Sequence, residues 1–183
     1  MLELGTELPP FSLPNLDGRM VGDRDFAGRA VVVAFLCPHC PYVKHVRPAF
    51  AAAAKEYQAK GVSFVAINSN DAVAYPEDDP TGMTREAASA GFTFPYLYDE
   101  TQDVAKVFRA ACTPDFFLFD RHHRLVYRGQ FDASRPKSAV PVTGADLRLA
   151  LDALLAGTSV SSVQRPSVGC NIKWKPTNAP SYA

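Results

Sequence analysis

Two cysteines two residues apart, Cys37-Pro38-His39-Cys40, stand between an apolar run at residues 30–36 and a helical pattern that starts near Val43. Two thiols at this spacing can close a disulfide across one helical turn. In exchange chemistry the first thiolate attacks a partner's disulfide and the second resolves the mixed disulfide. A helix N-terminus carries partial positive charge that stabilises a thiolate. The junction of strand and helix therefore makes Cys37 the expected nucleophile, with Cys40 one turn in as the resolving thiol. Pro38 suits a first helical turn, where its missing N–H has no partner to lose, and Pro41 also belongs at a helix start. His39, between the thiols, is expected to offer charge or a hydrogen bond that lowers the Cys37 pKa. Such tuning is large: dithiol proteins span about 150 mV, roughly 7 kcal/mol for two electrons.

A zinc knuckle is the competing reading of paired cysteines, but it calls for a second Cys or His pair at similar spacing. Cys112 and Cys170 are isolated, and His122-His123 falls in a turn. Cys112, beside a Phe-rich run, reads either as a small core residue or as a third redox group. Cys170, in the tail, reads either as a quiet docking residue or as a resolving thiol. Lys44 follows Cys40 by one turn and reads as solvated, as does His45. Glu77, Asp78 and Asp79 read as a solvated acidic loop without calcium-loop spacing. Trp174, the only tryptophan, reads as the anchor of the tail.

The elements that must position the dithiol follow from periodicity. Residues 30–36 and 62–67 are continuous apolar runs of buried-strand type. Val43, Val46, Phe50, Ala53, Ala54 and Tyr57 form one helical face, ended by Gly61 and expected to kink at Pro48. A polar loop is expected over 68–82, then helices over 84–90 and 102–111, with a short strand at 95–98 between them. Strands at 116–119 and 125–127 flank a hairpin turn, and a last helix covers 145–155. Residues 11–21 read as two extended pieces joined by a turn. Strands alternating with helices, followed by a hairpin, predict an α/β chain with a mixed sheet.

The bulk composition narrows the setting. The 183 residues, 47% hydrophobic and 21% charged, suit one domain that buries its own core. Nineteen basic residues balance nineteen acidic ones, which argues against nucleic acid or an anionic membrane as partner. The N-terminus lacks the pattern of a signal peptide, no run approaches membrane-spanning length, and four cysteines are too few for a disulfide scaffold. A cytoplasmic location is expected.

Three segments carry a resemblance: residues 35–44 around the dithiol, residues 111–120 (Ala-Cys-Thr-Pro-Asp-Phe-Phe-Leu-Phe-Asp), and residues 169–174 (Gly-Cys-Asn-Ile-Lys-Trp). Together with the entry segment at 8–18, they resemble the peroxiredoxin-like, AhpC/TSA-related family of thioredoxin-fold proteins. The resemblance implies a thioredoxin fold: a central mixed sheet flanked by helices, with an N-terminal hairpin extension within residues 1–29. The Ser-rich stretch at 158–163 reads as a linker, so a domain over 1–163 and a tail over 164–183 packed on it are expected. The resemblance also implies that Pro114 is a cis-proline facing the dithiol, and that Thr113 offers backbone hydrogen bonds to a docked substrate strand.

The chain departs from the peroxidases of that superfamily, which use Pro-x-x-x-Thr/Ser-x-x-Cys. Those positions hold Ala30 and Ala34 before Cys37, and Val33 and Cys37 before Cys40. The strand before the dithiol also lacks the buried acid that thioredoxins often carry. The Pro-His dipeptide resembles that of the oxidant DsbA.

The expected activity is thiol–disulfide exchange by Cys37 and Cys40, tuned by Pro38 and His39, with Thr113 and Pro114 shaping the groove. It needs no bound organic cofactor and no metal. Partners would be protein or small-molecule disulfides and thiols, plus a recycling reductant. A thiol peroxidase and a non-enzymatic metal- or client-binding module are the alternatives.

Overall fold

The structure, a computed structural model, describes residues 2–182. In chain order its elements are β1 (Ser12–Pro14), β2 (Met20–Gly22), β3 (Val31–Phe35), α1 (Pro41–Gln58), β4 (Ser63–Asn68), α2 (Pro80–Ala90), β5 (Tyr96–Tyr98), α3 (Asp103–Phe108), β6 (Cys112–Thr113), β7 (Asp115–Phe119), β8 (Leu125–Gly129), α4 (Ala145–Leu155) and β9 (Cys170–Asn171). β1 and β2 form the N-terminal antiparallel hairpin.

The main sheet runs β5-β4-β3-β7-β8. β4 pairs parallel with both β3 and β5, whereas β7 lies antiparallel to β3 and to β8. Every residue of β3, β4 and β7 is buried, which explains their unbroken apolar runs. Alternation along β3 divides the interior. Val32 and Ala34 face a core built with α1, α2 and α4, and Cys37 and Cys40 join that core from beyond the strand's end. Val31, Val33 and Phe35 face a second core with Phe108 of α3, the N-terminal Leu8 and Phe11, and Ile172 of the tail. This is the mixed sheet flanked by helices that the sequence predicts. Among the described residues, no helix is long and apolar enough to cross a membrane.

Local chemistry moves several boundaries. α2 starts at Pro80, not near residue 84, because the Asp79 side chain caps it, accepting from Gly82 N at 2.6 Å, with Pro80 in the first turn. α3 is shorter than its apolar pattern and ends at Phe108 with Arg109 left-handed. Its first turn is held by buried Asp99, which accepts from Ala105 N at 2.9 Å. α1 continues through exposed Pro48 to Gln58.

The C-terminal segment runs back along the β8 edge. Gln164 Nε2 donates to Val126 O at 2.9 Å, and Gln130 N donates to Arg165 O at 3.0 Å. Covering an edge in this way occupies backbone groups that would otherwise pair with another chain. β9 then pairs antiparallel with β6, and Ile172 and Trp174 pack into the second core.

Asp115 opens β7 and is almost fully buried, with Oδ1 lacking any partner. Burial pushes its pKa from 3.8 up to about 7. A carboxyl whose folded value lies above its unfolded one contributes stability at low pH that is lost as pH rises through that window. Urea unfolding of the wild type should therefore weaken between about pH 4 and pH 7, at up to about 1.4 kcal/mol per pH unit from this group. Asp115→Asn should flatten the profile over that range; parallel profiles would contradict the assignment.

Candidate active site

The dithiol sits where β3 hands over to α1. The helix begins one residue after the second cysteine: Pro41 occupies the first turn and Cys40 is the N-cap. Cys37 lies between the end of β3 and the bend at Pro38 and His39. This corrects the expectation that Cys37 holds the helix terminus. Pro41, rather than Pro38, is the first-turn proline, and Cys40 receives the helix's partial charge.

Both cysteines are 0% exposed, packed under the cis-peptide segment that precedes β7. The Thr113-Pro114 bond is cis. Thr113 touches both thiols: its Oγ1 is 3.3 Å from Cys37 Sγ, and its carbonyl accepts from Cys40 Sγ at 3.2 Å. Interaction between the two neighbouring thiols lowers the pKa at Cys40 and raises it at Cys37, with burial and the nearby Asp78 carboxylate adding to the rise at Cys37. When the proton crosses to Cys40, Thr113 serves the result at both ends. Its carbonyl takes the Cys40 S–H, and its hydroxyl can donate to a Cys37 thiolate.

His39 points toward a carboxylate as well as toward the thiol. Its Nδ1 is 3.9 Å from Cys37 Sγ and 2.5 Å from Asp78 Oδ2, and its backbone N donates to Asp78 Oδ1 at 3.0 Å. The imidazole stacks on Tyr75 with centroids 5.2 Å apart. Asp78 is wholly buried, not solvated as its acidic run implied. Asn70 Nδ2 donates to its Oδ2 at 2.8 Å, and Asn68 Nδ2 donates to its carbonyl at 2.7 Å. The buried acid missing from the strand before the dithiol is supplied from the loop after β4. No spacing in the chain pairs residue 78 with residue 39.

The edge of Thr113 is not open to a substrate strand in this structure. β9 pairs with it, setting Cys170 opposite Thr113 and Asn171 opposite Cys112. Ile172 N donates to Ala111 O at 3.2 Å, extending the ribbon. The tail sits close: a Cβ on Gly169 would lie 2.0 Å from Thr113 O.

The remaining sequence candidates separate clearly. Cys112 is a buried residue whose Sγ donates to Pro114 O at 3.6 Å, with burial raising its pKa. It faces away from Cys170 across the β6–β9 ribbon, since neighbouring strand residues point to opposite sides. Cys170 is half-buried, and burial pushes its pKa up to about 11. Lys44 is exposed, and His45 Nε2 lies 3.1 Å from Ser134 Oγ, outside the dithiol. Cys37, His39 and Asp78 each bring a possible metal ligand within 4.8 Å of the others. Asp78 already serves His39 twice and Asn70 once, which suits an orienting carboxylate.

Fold and site together define a dithiol protein on the thioredoxin scaffold. Residues 4–128 match the AhpC/TSA family, and the chain belongs to it. A crystal structure of an uncharacterized conserved protein from Geobacillus kaustophilus is 56% identical with a TM-score of 0.94, covering 97% of this chain and 95% of that one. A hypothetical protein from Sinorhizobium meliloti 1021 is 49% identical with a TM-score of 0.93, covering 96% of each. The thioredoxin domain of a thiol-disulfide oxidoreductase from Bacteroides vulgatus shares the fold at 18% identity, with a TM-score of 0.61 over 70% of this chain and 89% of that one. The thiol-disulfide oxidoreductase ResA of Bacillus thuringiensis subsp. konkukian is 23% identical over 132 residues, 68% of each chain.

Asp78→Ala strips the partner from the His39 amide and from Asn70, at a cost of about 1–3 kcal/mol in urea unfolding. It also removes the charge that disfavours a Cys37 thiolate, so the rising limb of the pH–rate profile for thiol exchange should move to lower pH. An unmoved profile would show that Asp78 does not act on Cys37.

Proposed function

We propose that this protein is a thiol–disulfide oxidoreductase that works through Cys37 and Cys40. The observation that carries this reading is the convergence of both sulfurs on Thr113. One residue meets the nucleophile with its hydroxyl and the resolving thiol with its carbonyl. Relatives described as thiol-disulfide oxidoreductases support it.

In the reduced pair, Cys37 passes its proton to the neighbouring Cys40 and becomes the attacking thiolate, with the Thr113 hydroxyl 3.3 Å from its sulfur. It bonds to one sulfur of a partner disulfide and expels the other as thiolate, which takes the proton from Cys40. The Cys40 thiolate then attacks Cys37, forming the Cys37–Cys40 disulfide and releasing the partner's second thiolate. Two electrons pass to the partner, and a separate reductant restores the dithiol. His39, held by Asp78, sets how well charge at Cys37 is tolerated and hence the direction in which the couple runs. Partners within this proposal are protein or small-molecule disulfides met in the cytoplasm.

In an assay of protein-disulfide reduction, Cys37→Ser should fall to the uncatalysed rate. Cys40→Ser should accumulate a mixed disulfide on Cys37, recoverable by mass spectrometry. Full activity in Cys37→Ser would contradict the proposal.

One observation favours a second reading, peroxide reduction at Cys37. The hydroxyl absent from residues 30–36 is present at 3.3 Å from Cys37 Sγ as Thr113 Oγ1. If peroxide is reduced there, Thr113→Val should slow its consumption by roughly 10- to 100-fold. Wild-type consumption no faster than free cysteine would end this reading.

A further inference from the structure

We propose that Cys170 is a third redox residue: it exchanges with Cys40 and is the sulfur through which an external thiol reaches the sealed dithiol. The proposal rests on the dithiol reading above and extends it to recycling.

Three independent features of the structure carry it. First, register: β9 places Cys170 directly opposite Thr113, the residue whose carbonyl lies 3.2 Å from Cys40 Sγ. Cys170 and Cys40 therefore meet the same peptide unit, and Cys170 packs against the core cluster that holds Cys40. Second, access: Cys37 and Cys40 are 0% exposed, whereas Cys170 is half-buried at the protein surface. An incoming thiol meets the Cys170 sulfur with less displacement of the protein than either of the other two requires.

Third, the tail is fixed to the active-site network as well as to the sheet. Asn70, which donates to Asp78, accepts from Lys173 N at 2.9 Å through its Oδ1. Lys173 O accepts from Asp71 N at 2.8 Å and from Gln102 Nε2 at 2.9 Å. Lys175 N donates to Gln102 Oε1 at 2.8 Å. Gly169 allows the close approach to Thr113, since a Cβ there would meet its carbonyl at 2.0 Å. A tail that served only to cover apolar surface would need Ile172 and Trp174. It would not need this set of part-buried hydrogen bonds, which connect to Asp78 of the dithiol site through Asn70.

The steps balance. In the oxidised protein the Cys170 thiolate attacks the Cys40 sulfur of the Cys37–Cys40 disulfide. The Cys40–Cys170 bond forms, the Cys37–Cys40 bond breaks, and Cys37 leaves as a thiolate that takes up the proton Cys170 lost. No electrons enter or leave. A dithiol reductant, protein or small molecule, then attacks Cys170. Its sulfur bonds to Cys170, Cys40 departs as thiolate, and the reductant's second thiol closes its own disulfide while releasing Cys170. The reductant is oxidised by two electrons and the protein is reduced by two.

The test uses the full chain. Cys37→Ser/Cys112→Ser protein is oxidised with diamide at low protein concentration and its disulfides are mapped by mass spectrometry. A monomeric Cys40–Cys170 disulfide is the expected product; disulfide-linked dimers alone would overturn the proposal. Cys170→Ser should still form Cys37–Cys40, but dithiothreitol should reduce that disulfide about ten-fold or more slowly than in wild type, because the accessible sulfur is gone. Equal rates would overturn the proposal. Emission from Trp174 in the same variant, unchanged from wild type, separates this effect from simple loss of tail docking. If wild type forms no Cys37–Cys40 disulfide, the dithiol reading fails and the relay fails with it. If that disulfide forms and turns over while Cys40–Cys170 never appears, only the relay fails.

Discussion

Thr113 is the constraint on which the site depends. Its hydroxyl faces one thiol, its carbonyl the other, and its backbone holds the tail strand. Three chain segments far apart in sequence are brought together at one peptide unit. The contact allows little slack, because Gly169 has no room for a side chain against the Thr113 carbonyl. Loss of the tail's register would therefore alter the dithiol's surroundings as well as the local pairing.

A second layer fixes the electrostatics. Asp78 is a fully buried carboxylate, a state that costs several kcal/mol unless hydrogen bonds offset it. His39 and Asn70 supply them, and Asn70 in turn holds Lys173. The path from tail to Asn70 to Asp78 to His39 ends 3.9 Å from the Cys37 sulfur. Tail docking and thiol acidity are thus linked through named hydrogen bonds. At Cys37 the Asp78 charge adds to the interaction with Cys40 and to burial in opposing a thiolate.

Much of the scaffold was legible from periodicity alone. β3 and β4 are buried on both faces and read as continuous apolar runs, and α4 matches its predicted span because its three-to-four-residue apolar spacing is uninterrupted. The dithiol was visible from its letters and its setting. What escaped were long-range polar contacts. Asp78 sits in an acidic run indistinguishable by composition from a solvated loop, and its burial follows only from where the 3-10 turn at Pro76–Asp78 delivers it. Asn70 and Gln102 carry no motif and matter because the fold sets them beside the tail. The helix start was misplaced by a few residues for a local reason: two prolines compete for the first turn, and Pro41 takes it.

The dithiol is sealed by the protein's own tail, and Cys170 is the least buried of the three cysteines at the site. Timed iodoacetamide labelling of the reduced native protein, resolved by cysteine with mass spectrometry, tests this most directly. The account predicts that Cys170 is modified first, and Cys37 and Cys40 far more slowly than a free thiol of equal acidity. Labelling of Cys37 ahead of Cys170, at the rate of an exposed thiolate, would contradict it.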